Sequence, residues 1–396
     1  MNDVKSKNKK KHIIKDMDKP LLIVTGLLIL IGTLSIVSAS ANESISRYGN
    51  ASVYYYFYRH AIMLSLGIAG SIIIHRLPTK LYKLIAPALW VTVAGLLIGL
   101  FIYGSAHRGA LNWISIAGVK VQPSEFAKPV IILMLALLFE KTSKKMKQSN
   151  FNPLNFTALW IIIGIIIPII VFFQDDLGTA SIIMLISGFM YLAGPLDKKT
   201  RNKHILVLAG IAIVGISVYG MTKGKIFSTE QVERLTQFYN PCSRYDDSGY
   251  QICNCFIAIN DGGITGLGIG KSKQKYSYIP EAYTDSIFAI IVEEDGLIVG
   301  FFILTLFAIL VCRIINIARK ASTIRGRYIA FGVAIYFMTH MIFNLGGLLG
   351  ILPLTGVPLP LISYGGSFTV SFLAALALVQ RVNIETCNQR IKIDKI

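Results

Sequence analysis

The chain reads as an all-α polytopic membrane protein of about ten transmembrane helices, with a large extracellular loop between the seventh and eighth. Three observations predict this. Of 396 residues 54% are hydrophobic and only 15% charged, and the mean hydropathy of +0.60 is far above that of soluble domains. Ten stretches approach the roughly 20 apolar residues that cross a bilayer: 20–41, 59–75, 84–104, 124–140, 155–173, 176–194, 204–222, 286–312, 328–349 and 366–381. Basic residues gather at every second loop, as at Arg76, Lys80 and Lys83, at Lys198, Lys199, Arg201 and Lys203, and at Arg313, Arg319 and Lys320. That alternation is the positive-inside pattern of a cytoplasmic-membrane protein with both termini inside. It also accounts for the net charge of +18 without a nucleic-acid partner.

Seven lysines between Lys5 and Lys19 precede the first span. Its apolar run is too long for a signal peptide and suits an uncleaved helix. The expected organisation is a basic cytoplasmic tail over 1–19, a membrane domain over 20–381 that includes an outer loop at 223–285, and a short cytoplasmic tail over 382–396. The first outward loop ends in Tyr54, Tyr55, Tyr56 and Tyr58, which reads as an interfacial aromatic belt. After the third span comes RGALNWISIAGVKVQPSEFAKP, from Arg108 to Pro129. Its middle alternates too briefly to span and predicts a short hairpin or re-entrant piece at the interface.

Gln122, Pro123 and Ser124 open the fourth span, with Ser124 a candidate N-cap. Glu125 and Lys128, three apart, share a helix face. They suit either a satisfied ion pair or a functional one, since intramembrane charges are functional candidates. Gln174, Asp175 and Asp176 form a tight outward link. A helix cap is the preferred reading there, with a cation- or sugar-holding turn as the alternative.

The outer loop holds YQICNCFIAINDGG and then GGITGLGIGKSKQK. A Walker loop is excluded, because Thr265 stands where its first glycine must be. The glycines beside Lys271, Lys273 and Lys275 remain open to two readings, a pyrophosphate-binding backbone or a plain turn. Cys242, Cys253 and Cys255 share this loop, where a disulfide is chemically allowed. No metal-ligand spacing is present, so no metal site is assigned.

Four acids then mark the return to the membrane: Glu281, Asp285, Glu293 and Glu294. Each ionised carboxylate at the bilayer centre costs about 2.5–3.5 kcal/mol, so this stretch is the first place to look for chemistry. Between the last two spans, GILPLTGVPLPLISYGGSF is too rich in proline and glycine for a helix. Such backbone is tolerated at membrane depth only against protein or a wet cavity, so the loop, with Ser363 and Tyr364, should fold inward near the acids. His340 and Asn344 share a helix face and read as polar packing.

In order along the chain, RGALNWISIAGVKVQPSEFAK, QDDLGTA, the YQ element with AINDGG, GLGIGKSKQK, YIPEAYTDSIFAIIVEEDG and LPLTGVPLPLISYGGSF resemble the SEDS family (shape, elongation, division and sporulation) of FtsW and RodA type proteins. The resemblance covers nearly the whole chain. It implies a peptidoglycan glycosyltransferase that polymerises lipid II on the outer face of the membrane with a class B penicillin-binding transpeptidase and other divisome or elongasome proteins. The wording is closer to the division branch than to elongation, and a sporulation paralogue would look much the same.

The family's catalytic aspartate in P-E-x-x-T-D falls on Asp285. Substrate-binding candidates around it are Glu281, Lys271, Lys275, Arg108, Gln122, Ser124, Glu125, Lys128, Asp176, Ser363 and Tyr364. Lysines or a divalent cation, magnesium or manganese, would stabilise the pyrophosphate leaving group. The chain departs from the family pattern at Asp175, at Ser286 in place of phenylalanine, at Cys255 in place of serine and at Asn112 in place of arginine. A lipid-linked substrate flippase and a non-catalytic scaffold for a synthase are the alternative readings.

Overall fold

A computed structural model describes residues 16–48, 53–107, 110–116, 119–146, 152–223, 241–244, 249–276 and 278–393. Helices α1 (Lys19–Tyr48), α2 (Tyr55–Arg76) and α3 (Tyr82–Tyr103) lead to a small antiparallel sheet of order β1-β2-β3 (Ser105–His107, Ala110–Ile116, Val119–Val121). Next come α4 (Pro123–Lys145), α5 (Pro153–Gly164), α6 (Ile166–Phe172), α7 (Leu177–Leu192) and α8 (Lys198–Lys223). In the outer loop lies α9 (Tyr250–Gly262), followed by α10 (Ile287–Lys320), α11 (Ile324–Leu348) and α12 (Ser367–Ile393). Among the described residues, seven helical stretches are long and apolar enough to cross a membrane, while α7 is apolar but has only 16 residues.

Several expectations change. The purely helical class gains the three-stranded sheet, where the sequence placed its interfacial hairpin. The span expected at 155–173 is present as Pro153–Phe172, with its helix interrupted at Ile165. Pro168 is the cause: it has no N–H to donate to the Gly164 carbonyl, and its ring crowds that carbonyl. The last helix runs on past Arg381, because Val382 and Ile384 are buried and Glu385 accepts from the Thr79 N–H at 2.7 Å.

α4, α11 and α12 form the centre, closed by Phe139, Tyr336, Phe337 and Phe372, whereas α2 and α3 present Ile62, Leu66, Ile73 and Leu84 outward. An outward apolar face suits lipid, which leaves the polar groups to the interior.

α10 carries the main irregularity. At Gly296 φ is 84° and ψ 171°, so the helix is interrupted there. The interruption frees backbone groups that the glycine-rich loop takes up. Leu267 N–H donates to Glu293 O at 2.9 Å and Gly268 N–H to Glu294 O at 2.8 Å, while Leu297 N–H donates to Gly263 O at 2.9 Å. Backbones this close leave no room for side chains, since a Cβ at Gly296 would lie 2.3 Å from Ile264 O.

Candidate active site

Asp285 sits in the tight turn just before α10. Glu281 takes a left-handed φ of 49°, and Thr284 N–H donates to its carbonyl at 2.9 Å. The turn is anchored from two sides: Asn344 Nδ2 on α11 donates to Asp285 O at 2.6 Å and to Val357 O at 2.8 Å, and Tyr364 N–H donates to Tyr283 O at 2.9 Å. The proline- and glycine-rich loop does fold inward, and its residues 354–358 and 364–366 wall a cavity of about 890 Å³. That is large for a ligand site, which typically measures about 300–1,000 Å³.

Of the residues expected from the sequence, Asp285, Glu281, Gln122, Glu125, Lys128, Asp176 and Tyr364 all line this cavity. Glu125 and Lys128 form a buried pair at 2.6 Å, with Lys128 Nζ also 3.0 Å from His340 Nε2. The Glu125 Oε2 atom is buried with no partner among the described residues. An unsatisfied carboxylate oxygen on a cavity wall is costly without a ligand or water to complete it. Asp176 both caps and lines: Oδ1 accepts the Thr179 N–H at 3.0 Å, and Oδ2 accepts from Asn112 Nδ2 at 3.0 Å and Gln122 Nε2 at 3.1 Å. Asn112 thus orients a cavity acid.

Other expectations fail. Lys275 is sequestered: its Nζ pairs with Glu294 at 2.7 Å and contacts Ser38 Oγ and Gly270 O, with both side chains of the ion pair 5% exposed. Lys271 is exposed and lies outside the cavity. Most N–H groups of the glycine loop are engaged within the chain. Lys273 N–H donates to Glu293 Oε1 at 2.8 Å, Lys275 N–H to Ser272 Oγ at 3.2 Å, and Gly266, Leu267 and Gly268 N–H to backbone carbonyls. Glu293 and Glu294 are therefore the acceptors that fold this loop and are not in the cavity.

Ser124 is buried in the second helical position, since α4 starts at Pro123, and it makes no cap. Ser363 Oγ accepts the Leu359 N–H at 2.8 Å and shapes the loop without reaching the cavity. Arg108 lies outside the described residues.

Sequence reasoning missed Arg59, Lys120 and Gln251 as lining residues. It took Tyr56 for part of an interfacial belt, yet Tyr56 is buried with its ring 4.4 Å from that of Tyr283 and 5.2 Å from that of Tyr364. The charged Arg59-His60 step at the start of an apolar span was the available signal. Burial, with the Tyr56 hydroxyl beside it, raises the Tyr283 pKa, so this phenol stays protonated. His340, read as packing, also lines the cavity.

On α9, Gln251 and Cys255 are four apart and so share a face. Gln251 Nε2 reaches Ser286 Oγ at 3.1 Å and both Asp285 carboxylate oxygens at 3.4 Å. Cys255, whose thiol is pushed up to about 12 by burial, interacts with Ser286. The N-terminal part of α9 is tied to the 241–244 turn by a Cys242–Cys253 disulfide, which resolves the pairing left open by the sequence.

Among the described residues, no group of three or more His, Cys, Asp or Glu side chains is arranged to hold a metal ion.

The FtsW, RodA and SpoVE family model, described as cell cycle protein, matches residues 19–388. A probable peptidoglycan glycosyltransferase FtsW of Bacillus subtilis (strain 168) is 35% identical over 94% of this chain and 92% of its own. Stage V sporulation protein E of the same organism is 31% identical, covering 92% of this chain and 96% of its own. Among solved structures, a chain of a peptidoglycan synthase complex that coordinates polymerization and crosslinking superposes with a TM-score of 0.72. It is 22% identical and covers 93% of this chain and 98% of that one. At that identity the likeness concerns the fold.

Proposed function

The chain belongs to the FtsW/RodA/SpoVE family of cell cycle proteins, and on that premise we propose that it is a peptidoglycan glycosyltransferase of septal wall synthesis, polymerising lipid II with Asp285 as its general base. The observation that carries this reading is the position of Asp285: its carboxylate lines a cavity walled by both cationic and acidic side chains, on a turn held by α11 and the inward-folded loop.

In the reaction a sugar hydroxyl of one substrate attacks the anomeric carbon of a polyprenyl-pyrophosphate glycoside. A new glycosidic C–O bond forms as the bond to the pyrophosphate oxygen breaks. Asp285 accepts the hydroxyl proton, a task for which a positioned carboxylate within hydrogen-bond reach suffices. Arg59, Lys120 and Lys128 are the lining cations suited to the departing pyrophosphate, in place of Lys271 and Lys275. A magnesium or manganese ion would be held mainly by the phosphates themselves, with one or two cavity carboxylates.

The charges on α10 support an orientation. Arg313, Arg319 and Lys320 lie at the end opposite Asp285, which under the positive-inside rule supports a cavity on the outer face and, with the ten spans expected from the sequence, cytoplasmic termini. The Cys242–Cys253 disulfide on the cavity side suits an oxidising exterior. A class B penicillin-binding transpeptidase is the expected partner, by likeness to the synthase complex.

The test is lipid II polymerisation by the purified protein with its cognate transpeptidase, comparing wild type with Asp285→Ala at matched folding and complex formation. Glycan strands from the wild type and none from the variant are expected. Equal polymerisation would remove Asp285 from the mechanism. Lipid II movement across vesicles without polymerisation would replace the enzyme with a transporter.

A further inference from the structure

The side chain of Asp285 has two torsions of its own, and a base works only when a carboxylate lone pair faces the attacking hydroxyl. A misplacement of about 1 Å can cost on the order of a hundredfold in rate. Thr284 Oγ1 lies 3.1 Å from Asp285 Oδ1, but its single proton has the closer Glu281 carbonyl at 2.7 Å to serve. The Gln251 amide has two N–H groups. Ser286 Oγ takes one at 3.1 Å, which leaves the other directed at the carboxylate, 3.4 Å from each oxygen. Such distances in a substrate-free site tighten as the reacting complex forms.

We propose that Gln251 is the positioning residue of Asp285, and that Ser286, backed by Cys255, holds Gln251 in register. Ser286 Oγ and the Asp285 carboxylate share the Gln251 amide, and Cys255 interacts with Ser286 from the same helix as Gln251. Ser286 is fully buried and Cys255 1% exposed, so their polar atoms face one another in a protein environment, where a satisfied network fixes a single geometry. The helix α9 sets the spacing. Gln251 and Cys255, one turn apart, straddle Ser286 from the same face, and the disulfide through Cys253 secures that turn. The inference rests on Asp285 being the base.

The experiment measures kcat and KM for lipid II polymerisation with the cognate transpeptidase present, for wild type, Asp285→Ala, Gln251→Met, Ser286→Ala and the Gln251→Met/Ser286→Ala double variant. Gln251→Met should lower kcat by about ten- to a hundredfold and leave KM within about threefold. Ser286→Ala should lower kcat by less, and the double variant should match Gln251→Met alone, because Ser286 acts through Gln251. If Gln251→Met loses folded protein, Gln251→Glu keeps the shape while replacing the donor by an acceptor, and the same loss in kcat is expected.

A kcat within twofold of wild type for the folded Gln251 variant would overturn the proposal, as would losses that multiply in the double variant. Should the wild type itself make no strands, the functional reading falls. Should the wild type be active, Asp285→Ala inactive and Gln251→Met unimpaired, the positioning role alone falls.

Discussion

Replacing Lys275 by methionine separates two assignments of the same lysine. On the sequence it is a candidate phosphate ligand, whereas in the fold its Nζ lies 2.7 Å from Glu294 Oε1 with both side chains 5% exposed. Lys275→Met leaves Glu294 buried with the Ser38 hydroxyl at 2.8 Å and the more distant Ser272 N–H at 3.4 Å. Removing one partner of a buried pair costs about 3–5 kcal/mol, because an uncompensated charge remains; at about 2 °C per kcal/mol for a large domain, the melting temperature should fall by about 6–10 °C. The double variant Lys275→Met/Glu294→Met removes both charges and should recover most of that loss. The assay is thermal unfolding in detergent, followed in parallel with lipid II polymerisation below the transition. The expected result is a lower melting temperature with KM unchanged for the protein that remains folded. An unchanged melting temperature together with a raised KM would refute the structural role and return Lys275 to the substrate.

Three further outcomes concern the same outer region. Denatured without reductant, the protein should take up three alkyl groups, at Cys255, Cys312 and Cys387, and five after reduction, as counted by intact mass; five before reduction would exclude the disulfide. In the native state the Cys255 thiol, at about 12, is thiolate to only about one part in ten thousand at pH 8, so it should resist maleimide until the protein unfolds. Its share of thiolate rises with pH and stays small below the folded value, so rapid native labelling at pH 8 would contradict its burial. Gly296→Ala places a Cβ 2.3 Å from Ile264 O at a φ of 84°, and it should cost at least about 1–3 kcal/mol by backbone strain alone. Thermal unfolding checks this, and a variant as stable as wild type would show that the junction of α10 with the glycine loop is not as close as described.

How much was legible differs by residue. The Asp285 turn, the Glu125–Lys128 pair and the inward proline-rich loop were readable, because each is a local conflict between polarity or helix-breaking residues and a membrane environment. Asp176 was half readable: its capping role follows from the adjacent helix, but the amides of Asn112 and Gln122 that share its second oxygen come from distant segments. The same limit hid Arg59 and Gln251, whose neighbours in sequence say nothing about Asp285.

By itself the sequence determined what depends on neighbouring residues: apolar runs long enough for helices, the alternation of basic loops, the short hairpin and the placing of the acid at a span's outer end. Hydropathy and charge act on each segment as it meets the bilayer, so they can be read in one dimension. Only the tertiary structure decided which lysine meets which acid. The lysines of the GKSKQK run and the acids Glu281, Asp285, Glu293 and Glu294 are close in the chain and chemically alike, yet the break at Gly296 draws the glycine loop onto Glu293 and Glu294 and takes Lys275 with it. What remains at the cavity is Glu281 and Asp285, with Gln251 from α9 and Lys128 from α4. Long-range packing of backbone against backbone made that choice, because the interrupted helix left hydrogen-bonding groups that had to be satisfied.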